Sequence, residues 1–227
     1  MVPRRVSKGG SAALKKTDFS CFQHFPKQCL DVLRRLDSPR KIQAFLDDEL
    51  EYNEERGGDT CLSVLEVLKQ KRAHCIEGAM LAAAAMLYHS KPALLLDLRA
   101  NRSDDDHVIM PFRESGRWGA VAQSHFMGLG FREPIYSSTA ELARSYFELY
   151  YDVDSEKKTL REYSVPLDVR TLGPDWLYSG KNVFFVSKAL DGVRHYDVLS
   201  SAQARRLRPV DARLLAAEKL LRAQRRK

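Results

Sequence analysis

Residues 75–88 read CIEGAMLAAAAMLY, a stretch in which alanine is the commonest residue. Alanine is the best helix former, and apolar side chains fill nearly every position of the run. A surface helix would show a polar face, so this composition predicts a helix that is buried on all sides. The run falls short of the ~20 residues that a membrane-spanning helix needs. We therefore expect the central helix of a globular core, beginning at Cys75.

Helical patterns precede this run, because apolar residues recur at helical spacing in three segments. The predicted helices cover residues 26–36, 39–50 and 60–68. Short apolar segments follow the central helix and predict strands over residues 93–99, 107–112 and 117–124. The turn Glu114-Ser115-Gly116 joins the last two strands as a hairpin. This order predicts an α+β fold in which N-terminal helices and a central Cys-bearing helix pack on an antiparallel sheet.

The second half of the chain continues the mixed pattern. Ser138 to Glu141 has capping-box spacing and introduces a helix that reaches Tyr150. Extended segments are predicted over residues 163–169, 182–188 and 193–199. These segments predict further strands of the same sheet.

The net charge of +7 is concentrated at the two ends of the 227-residue chain. Residues 1–16 hold five basic and no acidic side chains, and residues 205–227 hold nine basic and two acidic ones. We predict a basic disordered tail over residues 1–17, one domain over 18–200 and a basic amphipathic helix over 201–227. Such ends favour weak, salt-sensitive contact with an acidic protein, a nucleic acid or an anionic membrane surface. Nucleic acid is disfavoured among these partners, because no motif of stacking aromatic residues accompanies the basic ends.

The sequence also bears on location and on cofactors. No hydrophobic segment follows the basic N-terminus as a secretory signal requires, and no membrane span is predicted, so we expect a cytoplasmic protein. The four cysteines form no C-x-x-C pair, which predicts free thiols and excludes a zinc site built from such pairs. They are Cys21, Cys29, Cys61 and Cys75. We expect neither a metal nor a cofactor.

Cys75 and His107 are the residues that point to chemistry. A helix N-terminus favours a thiolate through its free N–H groups and its positive dipole end, and Cys75 lies at such a position. His107 opens an apolar strand pattern, Asp106-His107-Val108-Ile109-Met110. An imidazole beside a thiolate can take its proton and later deliver one to a leaving amine. The pair predicts acyl transfer through a thioester on Cys75.

The order of these residues resembles the transglutaminase-like superfamily, uncharacterised bacterial members included. In that family a Cys-x-x-x-Ala helix start carries the nucleophile, as in Cys75 to Ala79, and a histidine such as His107 opens a hairpin strand. A Gly-x-Trp begins the return strand, as in Gly116-Arg117-Trp118. The resemblance implies a papain-like cysteine-peptidase core. It also implies thiol attack on a carboxamide or peptide carbonyl of a protein or peptide substrate, giving hydrolysis or transamidation.

The chain departs from the family pattern at two positions. Ala73 stands where glycine is common, and Ala122 stands where the family places the aspartate that orients the histidine. Hairpin geometry suggests a substitute: if Glu114 pairs with Arg117, His107 faces Ser124 across the ladder. Ser124 is therefore the first candidate to orient the imidazole.

Asp106 is the second candidate. Adjacent strand residues point to opposite faces, so Asp106 reaches the side of His107 only if the strand begins later. Gln123 has the same parity problem. A shift of one residue in the register would reverse the order of the candidates.

Two other functions remain open. The run Asp104-Asp105-Asp106-His107 contains carboxylate and imidazole ligands for a divalent cation, although consecutive residues rarely converge on one ion. The second is a catalytically impaired binding module, which keeps the fold and uses its basic C-terminal helix to hold an acidic partner. The missing carboxylate at residue 122 favours this binding module, whereas the presence of both Cys75 and His107 favours an enzyme.

Overall fold

The computed structural model describes residues 19–225, and the tail predicted over residues 1–17 lies outside this range. The α-helices in it are α1 (Lys27–Arg35), α2 (Pro39–Glu49), α3 (Val64–Gln70), α4 (Cys75–Tyr88), α5 (Thr139–Arg144), α6 (Asp175–Tyr178), α7 (Phe185–Gly192), α8 (Ser201–Ala204) and α9 (Ala212–Arg225). Short 3-10 helices lie at Phe19–Phe22, Phe147–Leu149 and Val169–Leu172.

The strands are β1 (Glu51–Tyr52), β2 (Arg72–Ala73), β3 (Leu94–Ala100), β4 (His107–Glu114), β5 (Arg117–Val121), β6 (Arg132–Tyr136), β7 (Tyr151–Asp152), β8 (Lys157–Lys158), β9 (Leu160–Ser164), β10 (Leu167–Asp168) and β11 (His195–Asp197). The main sheet has the order β11-β9-β3-β4-β5-β6, with β10 also paired to β3. Each neighbouring pair in it is antiparallel. The prediction of helices packed on an antiparallel sheet is confirmed.

Helix α4 is the centre of the structure. All its residues from Ile76 to Leu87 are buried, as the alanine-rich composition predicted. It packs against α1, α2 and α3 and against β3 and β4. Small side chains let these neighbours approach the helix axis closely, which explains why a run of alanines fills this position.

The sheet separates two hydrophobic clusters, because successive side chains of a strand point to opposite faces. Leu95 and Val108 pack with the helical cluster around α4. Leu96 and Ile109 pack with a second cluster around α5, which contains Tyr146 and Tyr150.

The hairpin between β4 and β5 has the predicted register. Glu114 pairs with Arg117, and the ladder ends at the pair of Met110 with Val121. The ladder therefore stops before the predicted pairing of His107 with Ser124. His107 instead pairs with Leu98 of β3.

Several predicted elements differ from the structure. The helix predicted from Ser138 to Tyr150 ends at Arg144 as α5, and a 3-10 helix follows at Phe147–Leu149. Residues 185–188 of the strand predicted over 182–188 lie instead in α7, since Val186 and Leu190 are buried four residues apart on one helical face. The strand predicted over 163–169 is split into the end of β9 and β10, with Pro166 between them. The C-terminal helix is interrupted by Pro209, which cannot donate a helical hydrogen bond, so α9 begins at Ala212.

Within residues 19–225, no helix combines the length and the apolar character required to cross a membrane.

Candidate active site around Cys75

Cys75 is the first residue of α4 and is partly exposed. The first turn of α4 lies close to the segment that follows β5. A Cβ atom added to Gly78 would lie 2.5 Å from Cβ of Gln123, so only glycine allows this approach. The thiol is consequently held beside the start of β4, where Sγ lies 3.9 Å from the carbonyl oxygen of Asp106.

The end of β5 is fixed by Gln43 of α2. The Gln43 amide donates to the carbonyl of Ala122 at 2.9 Å, and its oxygen accepts from the N–H of Ala122 at 3.0 Å. Ala122 itself is 1% exposed. The small side chain of Ala122 therefore occupies the position where the family resemblance implied an orienting carboxylate.

His107 is buried against the second hydrophobic cluster, with the rings of Tyr146 and Tyr150 edge-on to it at 6.3 and 6.4 Å. Its Nε2 lies 2.9 Å from the carbonyl oxygen of Leu129. A carbonyl oxygen only accepts hydrogen bonds, so Nε2 carries a proton and Nδ1 is left to face another group. The His107 ring lies close enough to the Cys75 thiol to help lower the pKa of that thiol. The structure thus brings the two predicted residues together.

The loop that supplies Leu129 is held by Arg132. Its guanidinium donates to the carbonyls of Gly128 at 2.6 Å and Phe131 at 3.1 Å, and it stacks 3.9 Å over the ring of Tyr146. The Tyr146 hydroxyl in turn donates to the carbonyl of Gly130 at 3.0 Å. These contacts fix the backbone on both sides of the carbonyl that His107 uses.

Neither candidate orienter bonds the His107 ring. The Ser124 hydroxyl accepts the N–H of Phe126 at 3.0 Å and so closes a local turn. The Asp106 carboxylate accepts the N–H of Ala100 at 2.7 Å. Asp106 therefore ties the loop before β4 to the end of β3, on the face opposite His107, as strand parity indicated.

His74 is a second imidazole at the thiol, and the sequence pattern of Cys75 and His107 did not point to it. It is the N-cap of α4, and its Nδ1 lies 3.9 Å from Sγ of Cys75. Its Nε2 lies 3.1 Å from the carbonyl of Thr60 and 3.3 Å from a carboxylate oxygen of Glu77. The available signal was the spacing His-Cys-x-Glu, which places an acidic residue in the first turn next to the N-cap.

Glu77 is fully buried beneath the first turn of α4. One carboxylate oxygen accepts from the hydroxyl of Thr60 and from the N–H of Leu62, both at 2.8 Å. The other accepts from the Asn53 amide and from the N–H of His74, both at 3.0 Å. Burial opposes ionisation of this carboxyl, but bonds to His74 and the other donors prevail and lower its pKa to about 2.

The electrostatics of the site favour a thiolate. Burial raises the pKa of the Cys75 thiol, but hydrogen bonds with His107 and His74 and the positive charge of both rings outweigh burial, lowering it to about 6. Cys61 is a useful contrast, because it is buried and its pKa is raised to about 12 by burial and by nearby acidic groups. The lowered pKa is thus specific to the position of Cys75, since burial of Cys61 has the opposite effect on its pKa.

The possible metal ligands at residues 104–107 do not converge. The Asp104 carboxylate accepts from the hydroxyl of Thr159, Asp106 bonds Ala100, and His107 bonds Leu129. The interpretation of this run as a cation site is therefore wrong, because the side chains of Asp104, Asp106 and His107 serve three separate structural contacts.

A different cluster of acidic side chains lies beside β3, on the face of the sheet opposite His107. Oxygen atoms of Asp97, Asp106 and Asp191 lie within 4.8 Å of one another. Arg99 lies among them, 3.9 Å from Asp97, 4.0 Å from Asp106 and 3.5 Å from Asp191, and His195 contacts Asp97 at 3.0 Å. The chain thus provides its own positive charge here, and we assign no metal to the group.

A cavity of about 530 Å³ adjoins the His74 side of the site. Thr60, whose carbonyl accepts from His74, forms part of its wall. Its charged lining residues are Glu51, Glu54, Glu55 and Asp59 together with Arg56 and Arg72. The acidic surplus favours a cationic ligand group in this cavity.

No protein-family model and no curated protein sequence matches this chain. Its function is therefore inferred from the residues of the site themselves.

Proposed function

We propose that this protein is a thiol enzyme of transglutaminase-like type, which attacks a carboxamide or peptide carbonyl of a protein or peptide through an acyl-thioester on Cys75. The observation that carries the proposal is that His107 lies near enough to the Cys75 thiol to help lower its pKa, while the Nε2 of His107 is fixed by the Leu129 carbonyl. This is the arrangement of nucleophile, base and orienting group that nucleophilic catalysis requires.

The proposed reaction begins with transfer of the thiol proton to His107. The Cys75 sulfur then attacks the carbonyl carbon, a C–S bond forms, and the carbonyl oxygen becomes an oxyanion. The first-turn N–H groups of α4 have no intrahelical acceptor, so the N–H of Cys75 is available to this oxyanion. His107 gives its proton to the leaving amine as the C–N bond breaks. The products of this half-reaction are the thioester and a free amine or ammonia.

The second half-reaction restores the free thiol. His107 takes a proton from water or from an acceptor amine, which attacks the thioester carbon. The C–S bond breaks, and the proton on His107 returns to the sulfur. Hydrolysis and transamidation thus share every group supplied by the chain and differ only in the acceptor.

The Leu129 carbonyl takes the place of the carboxylate that the family resemblance implied. A carbonyl accepts from Nε2–H and so selects the tautomer in which Nδ1 is unprotonated and able to take the thiol proton. It brings no negative charge to the imidazolium that forms. We therefore propose a site whose geometry is complete but whose imidazolium is less stabilised than one beside a carboxylate.

The fold supports a papain-like core. The nucleophile stands at the N-terminus of a buried helix, and the imidazole opens a strand of the antiparallel sheet on which that helix packs. The hairpin of β4 and β5 has the register that the Ser115-Gly116 turn predicted. We propose on these grounds that α4, β4 and β5 form a transglutaminase-like core.

The test is acyl transfer from p-nitrophenyl acetate, an activated ester that does not require the natural substrate. We expect a burst of nitrophenolate and an acetyl group on the Cys75 peptide in mass spectrometry. Water or added hydroxylamine should then release the acetyl group from Cys75. Cys75→Ala abolishes the burst, and His107→Gln slows both formation and release of the adduct. Acetylation of Cys75 no faster than that of Cys21, with no effect of His107→Gln, would instead favour the binding module.

A further inference from the structure

His74 lies between the Cys75 thiol and a buried carboxylate. Its Nδ1 is 3.9 Å from the sulfur, and its Nε2 is 3.3 Å from Glu77 and 3.6 Å from Glu55. The His74 side chain is itself only 11% exposed. An imidazole enclosed by two carboxylates is in a position where its protonated form is favoured.

Glu77 requires a compensating positive charge. The carboxylate is wholly removed from water, and its hydrogen bonds to Asn53, Thr60 and Leu62 come from neutral donors. Among the residues that the structure describes, the basic side chain within 4.0 Å of the Glu77 carboxylate is His74. A buried carboxylate without a partner is costly, so the ion pair of Glu77 with His74 stabilises both charged forms.

The proton positions on His74 follow from its neighbours. Nε2 faces the Thr60 carbonyl and carboxylate oxygens, all of which are acceptors, so it carries a proton. With the ring charged, Nδ1 also carries a proton and lies beside Sγ. A fixed positive charge at this distance stabilises a thiolate over a thiol.

We propose that His74 is a positioning residue that holds Cys75 as a thiolate, and that it retains both ring protons while His107 alone exchanges protons during the reaction. The inference rests on the nucleophile of the proposed function and divides the work between two imidazoles. The thiol proton passes to His107, and the pair of His74 with Glu77 remains charged throughout. Charge is therefore balanced without any group beyond those of the site.

Several titratable groups face the thiol and the His74 ring and contribute to any pH profile. They are Tyr52 of β1, Glu55 and Cys61 of the segment before α3, Glu77 of α4, His107 of β4 and Tyr150 after α5. A change at His74 must therefore be compared with a change at His107 in otherwise identical protein.

The experiment follows alkylation of Cys75 by iodoacetamide across pH, with each cysteine quantified by mass spectrometry. In His74→Gln the amide can still donate to Thr60 but cannot be charged, and we expect the midpoint for Cys75 to rise by about one to three pH units. Glu77→Gln removes the compensating carboxylate and shifts the midpoint in the same direction. His89→Gln is the matched control, because His89 also donates to a backbone carbonyl, at the opposite end of α4.

A second measurement separates positioning from catalysis. Acetylation of Cys75 by p-nitrophenyl acetate in His74→Gln recovers the parent rate once the pH exceeds the new midpoint, because His107 is still present. In His107→Gln, release of the acetyl group from Cys75 by water stays slow at neutral pH, because no base takes the proton of the attacking water. A midpoint unchanged by His74→Gln, or a loss in that variant that high pH does not restore, overturns the proposal.

The parent protein provides a test that needs no variant. The ¹⁵N shifts of the His74 imidazole should report protons on both nitrogens through neutral pH, and a neutral ring there contradicts the proposal even if the variants fail to fold. These measurements report ionisation rather than turnover. If Cys75 ionises as described but forms no acyl adduct, the proposed function fails and the role of His74 stands.

Discussion

The Nε2–H group of His107 donates a 2.9 Å hydrogen bond to the carbonyl oxygen of Leu129. Orientation of the imidazole thus depends on the backbone of one loop rather than on a carboxylate side chain. Anything that moves this loop should change the reactivity of Cys75 without touching either reactive residue.

Arg132 provides the first test of that dependence. Arg132→Met keeps the aliphatic bulk but removes the donors to the Gly128 and Phe131 carbonyls, and leaving such groups unpaired costs about 2–3 kcal/mol. We expect a lower free energy of unfolding in urea and slower acetylation of Cys75 at 25 °C, where the protein is still folded. Arg113→Met is the matched control, because Arg113 stacks on Trp118 and bonds Gly116 in the exposed hairpin. Equal acetylation rates in the two variants would show that the contacts of Arg132 in this loop do not affect the reactivity of Cys75.

Helix α9 provides an independent test, because it reaches the same loop. Glu218 is 1% exposed, and one of its carboxylate oxygens accepts the N–H of Met127 at 3.1 Å. Glu218→Ala removes this bond and should cost about 1–2 kcal/mol in unfolding free energy, with slower acetylation of Cys75. Glu218→Gln keeps an acceptor and should preserve both properties. Lys219→Ala is the control, since that side chain forms an exposed ion pair with Glu156. An effect of Lys219→Ala as large as that of Glu218→Ala would contradict the role of the hydrogen bond between Glu218 and Met127.

Gly78 tests the approach of α4 to the segment after β5. Alanine is the better helix former by about 1 kcal/mol, but its Cβ would lie 2.5 Å from Cβ of Gln123, an atom that cannot rotate away. We expect Gly78→Ala to destabilise the fold by about 1–3 kcal/mol net, as overpacking does. Gly57→Ala is the control, because nothing lies within 4 Å of its added Cβ. Thermal unfolding of both variants decides the point, and a stabilised Gly78→Ala protein would contradict the packing.

The pKa of Glu77 makes a prediction about acid. Because its pKa is lowered from 4.5 to about 2 in the folded chain, the carboxylate contributes stability that is complete above the unfolded value. This stability is lost as the pH falls through about 2, and the shift corresponds to about 3 kcal/mol. We expect urea unfolding between pH 5 and pH 2 to show a steeper loss in the parent than in Glu77→Gln. Parallel losses in the two proteins would show that Glu77 does not titrate as described.

The fold was predictable where local pattern and packing agree. The alanine run of α4 fits only a buried helix, and the Ser115-Gly116 turn fixes the register of β4 and β5. The failure at residues 182–188 has a physical cause: a short apolar segment suits a strand or a helix equally, and contacts of Val186 and Leu190 with the core decide for α7.

The candidate site was predictable only in its reactive side chains. Cys75 and His107 carry a recognisable chemical type and spacing, and the structure brings them together. The acceptor at Leu129 is a backbone carbonyl, which every residue possesses. The residue types in the sequence therefore do not show which carbonyl the path of the loop brings to His107. His74 was missed for another reason: its partner Glu77 looks like an ordinary first-turn acid until its burial is known.

The most direct test of the reactive pair is the rate at which iodoacetamide modifies Cys75 at pH 6, with peptide mapping of every cysteine. A thiol with a pKa of about 6 should react about tenfold faster at this pH than free cysteine, after allowance for the weaker nucleophilicity of a more acidic thiol. We predict that Cys75 is modified before Cys21, Cys29 and Cys61, and that His107→Ala slows it by about threefold or more. Modification of Cys75 no faster than of Cys21, unchanged by His107→Ala, would contradict the pairing of thiol and imidazole.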